Sequence, residues 1–371
     1  MAIEVGTGHK PIVRIGAGRF STVLKVEEVR LGGYVAEKKI HTSTSGVGIQ
    51  SLKGALRELF TLKLLCPHHN IVDLLGHRFE GHCLVLQLKL FDMDLDSIIG
   101  RNPPLPCSLI KKIVRELVTG LACVHEAGIM HRDMKPGNVL ISREGRVAIC
   151  DFGLARASGE SKECIPPITR EVATRWYQSP EILLGTEVQT TSCDIWAVAC
   201  VLCEMYLGEP LLSGLTDIQQ LFLLYKRFGG APSVIPKDQE SAPHAHGDLL
   251  RDDSLRYWPS ATLLPDYGKI PFTKEAIESD KHWSDRLVAD VPRLPTDALP
   301  ILARCFRYDP RRRISHAEEV LHSGFFKGCD EAIGDALADY LDNSDPKPPP
   351  PLEDPWEDSF DSECSFLKSS N

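Results

Sequence analysis

The chain has 371 residues, 43% of them hydrophobic, and a formal net charge of −9. That length suits one large two-lobed domain or two small ones, and the acidic balance argues against nucleic acid or an anionic membrane as partners. The 12 cysteines form no paired CxxC ladder, which suits a reducing cytosol. The start lacks a basic-then-apolar leader, and no window approaches the roughly 20 apolar residues of a membrane span. A soluble intracellular protein is expected.

After an extension over 1–10, residues 11 to 40 read as strands: Ile12, Val13 and Ile15, then Val23, Leu24 and Val26, then Tyr34-Val35-Ala36, with glycine-rich turns between. Leu52, Leu56, Leu59, Leu62 and Leu65 mark one face of a helix. Two more strand-like runs surround Ile71-Val72 and Cys83-Leu84-Val85-Leu86. From Leu109 the pattern turns helical, with Ile113, Leu117, Leu121 and Val124 in register. Cys200 and Cys203, three apart on an apolar helix, are expected to pack in the core. Glycine and proline cluster between 228 and 273, an ordered surface insert; His244 and His246 there have no ligand-spaced cysteine or acid, so no metal site is expected. The segment 328–371 is acidic and carries Pro348 to Pro351, which predicts a mostly disordered tail with one or two helical turns between Ala332 and Leu341.

Several motifs lie on this frame. Gly16-Ala17-Gly18-Arg19-Phe20-Ser21-Thr22-Val23 falls between two strand-like runs, a weak signal alone because glycine marks many hairpins. Val35-Ala36-Glu37-Lys38 follows, and Glu58 lies one helix later in Ala55-Leu56-Arg57-Glu58-Leu59. The decisive stretch is His131-Arg132-Asp133-Met134-Lys135-Pro136-Gly137-Asn138, followed by Asp151-Phe152-Gly153. Phosphoryl transfer needs an acceptor hydroxyl, a phosphate and a cation held in line while charge develops. A carboxylate, a lysine and two metal-ligating side chains are the parts that supply this.

These motifs, in this order, resemble those of protein kinases. The resemblance implies an α+β, bilobal fold: a domain over 11–327 with a small β-rich N-lobe (11–88), a hinge (89–93) and a large helical C-lobe (94–327). It implies ATP and Mg²⁺ as cofactors. Asp133 would orient the acceptor hydroxyl and take its proton, and Lys135 would steady the γ-phosphate, a serine/threonine-kinase mark. Asn138 and Asp151 would hold Mg²⁺. Lys38, fixed by Glu58, would contact the α- and β-phosphates. The nucleotide would lie among Ile15, Gly16, Ala17, Gly18, Val23, Ala36, Lys89, Leu90, Phe91, Asp94 and Leu140, with Leu140 as its floor and Cys150 packing beside it. Ser21 replaces the usual third glycine, implying a stiffer lid, and Glu37 stands where kinases usually carry an apolar residue.

The branch is identified as similar to cyclin-dependent kinases by Val172-Ala173-Thr174-Arg175-Trp176-Tyr177-Gln178-Ser179-Pro180-Glu181, by Asp309-Pro310-Arg311-Arg312-Arg313-Ile314, by the Arg57-Glu58 helix and by Leu264-Pro265-Asp266-Tyr267. Between Leu154 and Val172 there is no tyrosine, so the Thr-x-Tyr lip of mitogen-activated kinases is missing. Within the branch the chain looks most similar to the cell-cycle-related subgroup associated with cilia, then to plant-type kinases that activate other cyclin-dependent kinases. The resemblance implies a buried Glu181–Arg313 pair and an Asp194 that braces the catalytic loop. It also implies a phosphate on Thr169 cradled by Arg57, Arg132 and Arg156, an upstream kinase that adds it, a cyclin-like activator and protein substrates. The expected location is cytoplasm or nucleus, with a ciliary association. Arg19 and Phe20 replace the Thr-Tyr pair of inhibitory control. Gln178 replaces an arginine that favours proline after the target residue, and Ala199 replaces a glycine. The alternative is a pseudokinase scaffold that binds nucleotide without turnover.

Overall fold

The computed structural model describes residues 9–17, 21–28, 33–42, 47–158, 175–229, 255–256, 258–269, 282–328 and 334–345. Gly18, Arg19, Phe20, Thr169, the histidines at 244 and 246 and the tail beyond Asp345 lie outside them.

Five antiparallel strands, β1 (His9–Ala17), β2 (Ser21–Glu28), β3 (Gly33–His41), β4 (Leu74–Glu80) and β5 (Cys83–Lys89), form a sheet ordered β1-β2-β3-β5-β4. Strand alternation sends Ala36, Lys38 and Ile40 to one face, opposite Leu88, Leu86 and Leu84. Helix α1 (Val47–Leu65) buries Ala55, Leu59, Leu62 and Leu65 against that face. Each buried leucine contributes roughly 2 kcal/mol, so α1 is held by packing despite its two glycines. Ile71 and Val72, expected in a strand run, are fully buried in the α1–β4 connection, where Ile71 makes a single isolated parallel bridge to Ile149. There Val72 donates its N–H to the Ile149 carbonyl at 3.0 Å. Their apolar run reflects two-sided burial between the lobes, which periodicity cannot tell from a strand.

The second lobe begins with β6 (Met93–Asp94) and α2 (Cys107–Glu126), whose Leu109, Ile113, Leu117, Leu121 and Val124 are all buried, in the predicted register. Gly120 lets α2 approach closely: a Cβ there would stand 2.6 Å from the Asn70 carbonyl. Short strands β7 (Ile129–Met130), β8 (Val139–Ile141), β9 (Val147–Ile149) and β10 (Arg156–Ala157) pair as β6-β8-β9 and β10-β7. The loop His131–Asn138 therefore leaves β7 and enters β8, and Asp151 follows β9 directly.

Among the described residues the remaining α-helices are α3 (Pro180–Leu183), α4 (Ser192–Leu207), α5 (Asp217–Phe228), α6 (Trp283–Asp290), α7 (Leu299–Cys305), α8 (Ala317–Leu321) and α9 (Gly334–Asp342). Cys200 and Cys203 are buried in α4, and burial pushes both thiols up, as expected of packing residues. Helix α9 falls where one or two helical turns were expected between Ala332 and Leu341, and 329–333 and 346–371 lie outside the described residues. Leu337 and Tyr340 are buried, the Tyr340 hydroxyl donates to the Pro103 carbonyl at 3.1 Å, and Asp345 N–H reaches the Asn102 carbonyl at 2.8 Å. A pair of apolar anchors three apart is enough to seat this short acidic helix.

Candidate active site

Across the cleft between the lobes, Lys38 Nζ donates to both Glu58 oxygens at 2.9 Å and to Asp151 Oδ1 at 2.9 Å. β3, α1 and the turn after β9 thereby meet at one ammonium. Burial works against the charge on Lys38, but Asp151 and Glu58 outweigh it and raise its pKa above the usual lysine range. Burial also pushes Glu58 up, to about 7, with Lys38 pulling the other way. Burial opposes ionisation of Asp151, yet Lys38 outweighs it and brings Asp151 down to about 2. Phe152 is fully buried behind it, edge-on to His131 with ring centroids 4.9 Å apart.

Among the described residues, only Arg132 (φ 69°) and Asp151 (φ 62°) are non-glycines in the left-handed region. Such a conformation costs about 1–3 kcal/mol and persists where its surroundings over-determine it. At Arg132 the surroundings are clear. Asp194, buried at the start of α4, accepts the N–H of His131 at 2.8 Å and of Arg132 at 2.7 Å. His125 holds the same carboxylate at 3.1 Å, while its Nδ1 accepts the Ala317 N–H, so the ring proton sits on the nitrogen facing Asp194. His131 Nδ1 likewise accepts the Asp133 N–H, leaving Nε2 to donate to the Cys150 carbonyl at 2.9 Å.

Asp133 is the residue so positioned. Its Oδ2 accepts from Asn138 Nδ2 at 2.9 Å and faces Lys135 Nζ at 3.0 Å. Its Oδ1 is buried without a hydrogen-bond partner. An orphaned carboxylate oxygen normally costs about 1–3 kcal/mol, and here it leaves one acceptor of the carboxylate uncommitted. Asn138 spends its amide N–H groups on Asp133 Oδ2 and on the Asp133 carbonyl at 2.7 Å, so only its oxygen remains for another partner. The Cys150 N–H donates to the Asn138 carbonyl, which sets Asp151 beside Asn138. No cluster of three or more His, Cys, Asp or Glu among the described residues could hold a metal alone. Asn138 and Asp151 therefore fit a cation that brings most of its ligands with it, as Mg²⁺ does on phosphates.

Of the residues expected around the nucleotide, Ala36 is buried, Val23, Leu90, Phe91, Asp94 and Leu140 are half-buried, and Ile15 and Lys89 are exposed. Leu140 pairs with Asp94 in the β6–β8 register. The Lys89 N–H donates to the Asp73 carbonyl at 3.0 Å, so it is not available to read an adenine edge. The side chain of Ala17 and all of Gly18 lie outside the described residues.

Arg57 Nη1 reaches the Gly153 carbonyl at 2.6 Å, Arg132 Nη1 the Leu154 carbonyl at 3.4 Å, and Arg156 sits opposite Met130 in β10. All three expected phosphate ligands thus surround the turn after Asp151. Farther down, Arg313 forks onto Glu181 at 2.7 and 2.8 Å, and its other donors take the carbonyls of Ser192, Tyr308 and Arg307.

Two features went unread in the sequence. One is His125, whose role depends on Asp194. The other is Glu37, which is buried and clasped by Arg78 at 2.8 and 3.0 Å across β5. A carboxylate in an apolar strand position was the signal that a partner had to exist.

The Asp194 hub carries a pH prediction. Burial opposes its ionisation, but His125, His131 and the Arg132 N–H outweigh burial and lower its pKa. A depressed carboxylate stabilises the fold above its unfolded pKa of about 3.9, and that stability is lost as pH falls through the lower folded value. Urea unfolding should show Asp194→Asn weaker than wild type at pH 7, with the gap closing below about pH 4. A gap constant with pH would refute this.

A model of the protein kinase domain matches residues 10–326. The chain is similar to cyclin-dependent kinase 20 of Mus musculus, with 34% identity over 314 residues, covering 84% of this chain and 81% of that protein. It is similar to cyclin-dependent kinase 10 of Homo sapiens, with 35% identity over 319 residues, covering 85% and 78%. It is also similar to cyclin-dependent kinase D-1 of Oryza sativa subsp. indica, with 33% identity over 314 residues, covering 84% of this chain and 65% of that protein.

Proposed function

The chain belongs to the protein kinase family, among its cyclin-dependent-kinase-like members, and from that premise we propose that it is a Mg-ATP-dependent serine/threonine protein kinase switched on by a phosphate at Thr169. The observation that carries the reading is the buried Asp133 carboxylate, with Oδ1 unpartnered and Oδ2 against Lys135. Asp133 takes the proton of the acceptor hydroxyl through that oxygen, and Lys135 steadies the phosphoryl group as it moves. Lys38, kept cationic by Glu58 and Asp151, holds the α- and β-phosphates. A divalent cation on Asn138 and Asp151 would supply charge neutralisation between the phosphates. Turnover of ATP with a generic acceptor, compared with Asp151→Ala, tests the proposal. No turnover by the wild-type chain in its Thr169-phosphorylated form would favour the scaffold reading.

The arginines support the switch. A phosphate with about −1.5 to −2 charges would take Arg57 and Arg132 as charge-assisted donors in place of backbone carbonyls, drawing α1 and the catalytic loop together. Thr169→Ala should lower activity at least tenfold; equal rates with and without phosphate at Thr169 would overturn this part. Helix α1 carries Gly48 in its first turn and Gly54 in its interior, where a glycine weakens a helix by roughly 0.5–1 kcal/mol. That supports a cyclin-like partner that steadies its first half.

Gln178 sits where a charged side chain would favour proline after the target residue. The proposal therefore admits other residues there, including activation loops of other kinases, since Thr169 itself precedes Arg170. An oriented peptide library should show weak proline preference that rises in Gln178→Arg. A sharp proline requirement in wild type would sink it. The same proposal places the activity in cytoplasm or nucleus, in cell-cycle or ciliary regulation, on the resemblance alone.

A further inference from the structure

Helix α1 faces the core with Leu59 and Leu62, yet its outer side carries Phe60 (62% exposed) and Leu64 (65% exposed), one turn apart. Lys63, between them, reaches His77 of β4 at 3.5 Å, and Phe79 (62% exposed) lies two residues along the same face of that edge strand. Large side chains exposed this close together mark an interaction surface more often than chance. Its charge is one-sided. Lys53, two turns before Phe60, and Lys63 are exposed, whereas the nearby acids are engaged elsewhere: Glu58 on Lys38, Asp73 on Arg146, and Glu80 on Arg78 and Lys39.

We propose that this ridge is the docking site for the chain's own C-terminal segment, Glu353 to Glu363. That segment places Trp356 and Phe360 four apart among Glu353, Asp354, Glu357 and Asp358, complementary in both aromatic spacing and charge to Phe60, Leu64 and the two lysines. Asp354-Pro355 followed by Glu357 is also a helix-start pattern, which would bring both aromatics to one side on binding. Reach is sufficient. Helix α9 begins with Gly334 against the Glu144 carbonyl, on the same β8–β9 turn whose Arg146 grips His69 and Asp73 at the base of β4, and the 9-residue helix and the turn after it place Asp345 at most roughly 25 Å from there. From Asp345 to Phe360 an extended chain covers roughly 50 Å. The tail so bound clamps the second half of α1, leaving the first half, Val47–Gly54, for a separate partner.

Hydrogen exchange on the full-length chain tests this without reference to catalysis. In Trp356→Ser/Phe360→Ser, exchange across 59–65 and 74–80 should rise several-fold, with α2 and α4 unchanged. In Phe60→Ser/Leu64→Ser, where both sites are exposed and the fold is not at stake, protection of 352–366 should be lost. High salt should weaken both effects in wild type. A tail that exchanges at random-coil rates in wild type overturns the proposal, as does either variant leaving the opposite surface unchanged. Protection that grows with protein concentration overturns it too, by assigning the ridge to a second copy.

Discussion

Asp133→Asn is expected to lower turnover by about 10²- to 10⁴-fold, the range for losing a positioned general base, while leaving the urea midpoint close to wild type. The substitution keeps the shape of the side chain. Its amide oxygen can still accept from Asn138, in place of the 2.9 Å bond to Oδ2, so the loop need not move. What changes is the buried Oδ1, an acceptor that becomes an N–H donor and can no longer take a proton. The fold should change little, because one unpartnered buried polar atom replaces another and the Lys135 contact is partly exposed. Wild-type-like rates in this variant would show that Asp133 is not the base. A collapse of stability would show instead that the Asp133–Lys135 contact is structural.

Arg313→Ala is expected to cost on the order of 3–5 kcal/mol, the range for stranding one partner of a buried ion pair. Arg313 is 3% exposed, and every one of its five donors is committed: two to the Glu181 carboxylate and the rest to three backbone carbonyls. Its guanidinium also lies 5.1 Å from the Trp196 ring, so truncation opens a space beside a fully buried tryptophan. Arg313→Lys should retain only part of the stability, since a single ammonium cannot span both Glu181 oxygens and three carbonyls. Glu181→Gln keeps a neutral hydrogen-bond acceptor and should cost less than Arg313→Ala. Urea unfolding of the three variants, ranked, is the check; a loss below about 1 kcal/mol for Arg313→Ala would refute the account.

What the residues alone determined was the chemistry that is local in sequence. The loop His131–Asn138 and the turn Asp151–Gly153 are legible because their functional groups are set by neighbours a few residues away. The helical stripe of α2 is legible because its burial has one period. Pairs far apart, such as Lys38 with Glu58, 20 residues on, and Glu181 with Arg313, 132 residues on, were read through family resemblance, not from pattern. The tertiary structure decided the rest. Glu37 finds Arg78 only because β5 brings β4 within reach of β3, and a carboxylate cannot announce a partner 41 residues away. Ile71 and Val72 read as a strand run, yet the structure grants them one bridge, Ile71 to Ile149, because apolar run length reports burial and not the length of a ladder. The seat of α9 on Asn102 and Pro103 depends on two anchors, Leu337 and Tyr340, in a segment whose charge argues for solvent. In each case the deciding free energy comes from contacts between parts of the chain distant in sequence, which exist only once the tertiary fold has formed.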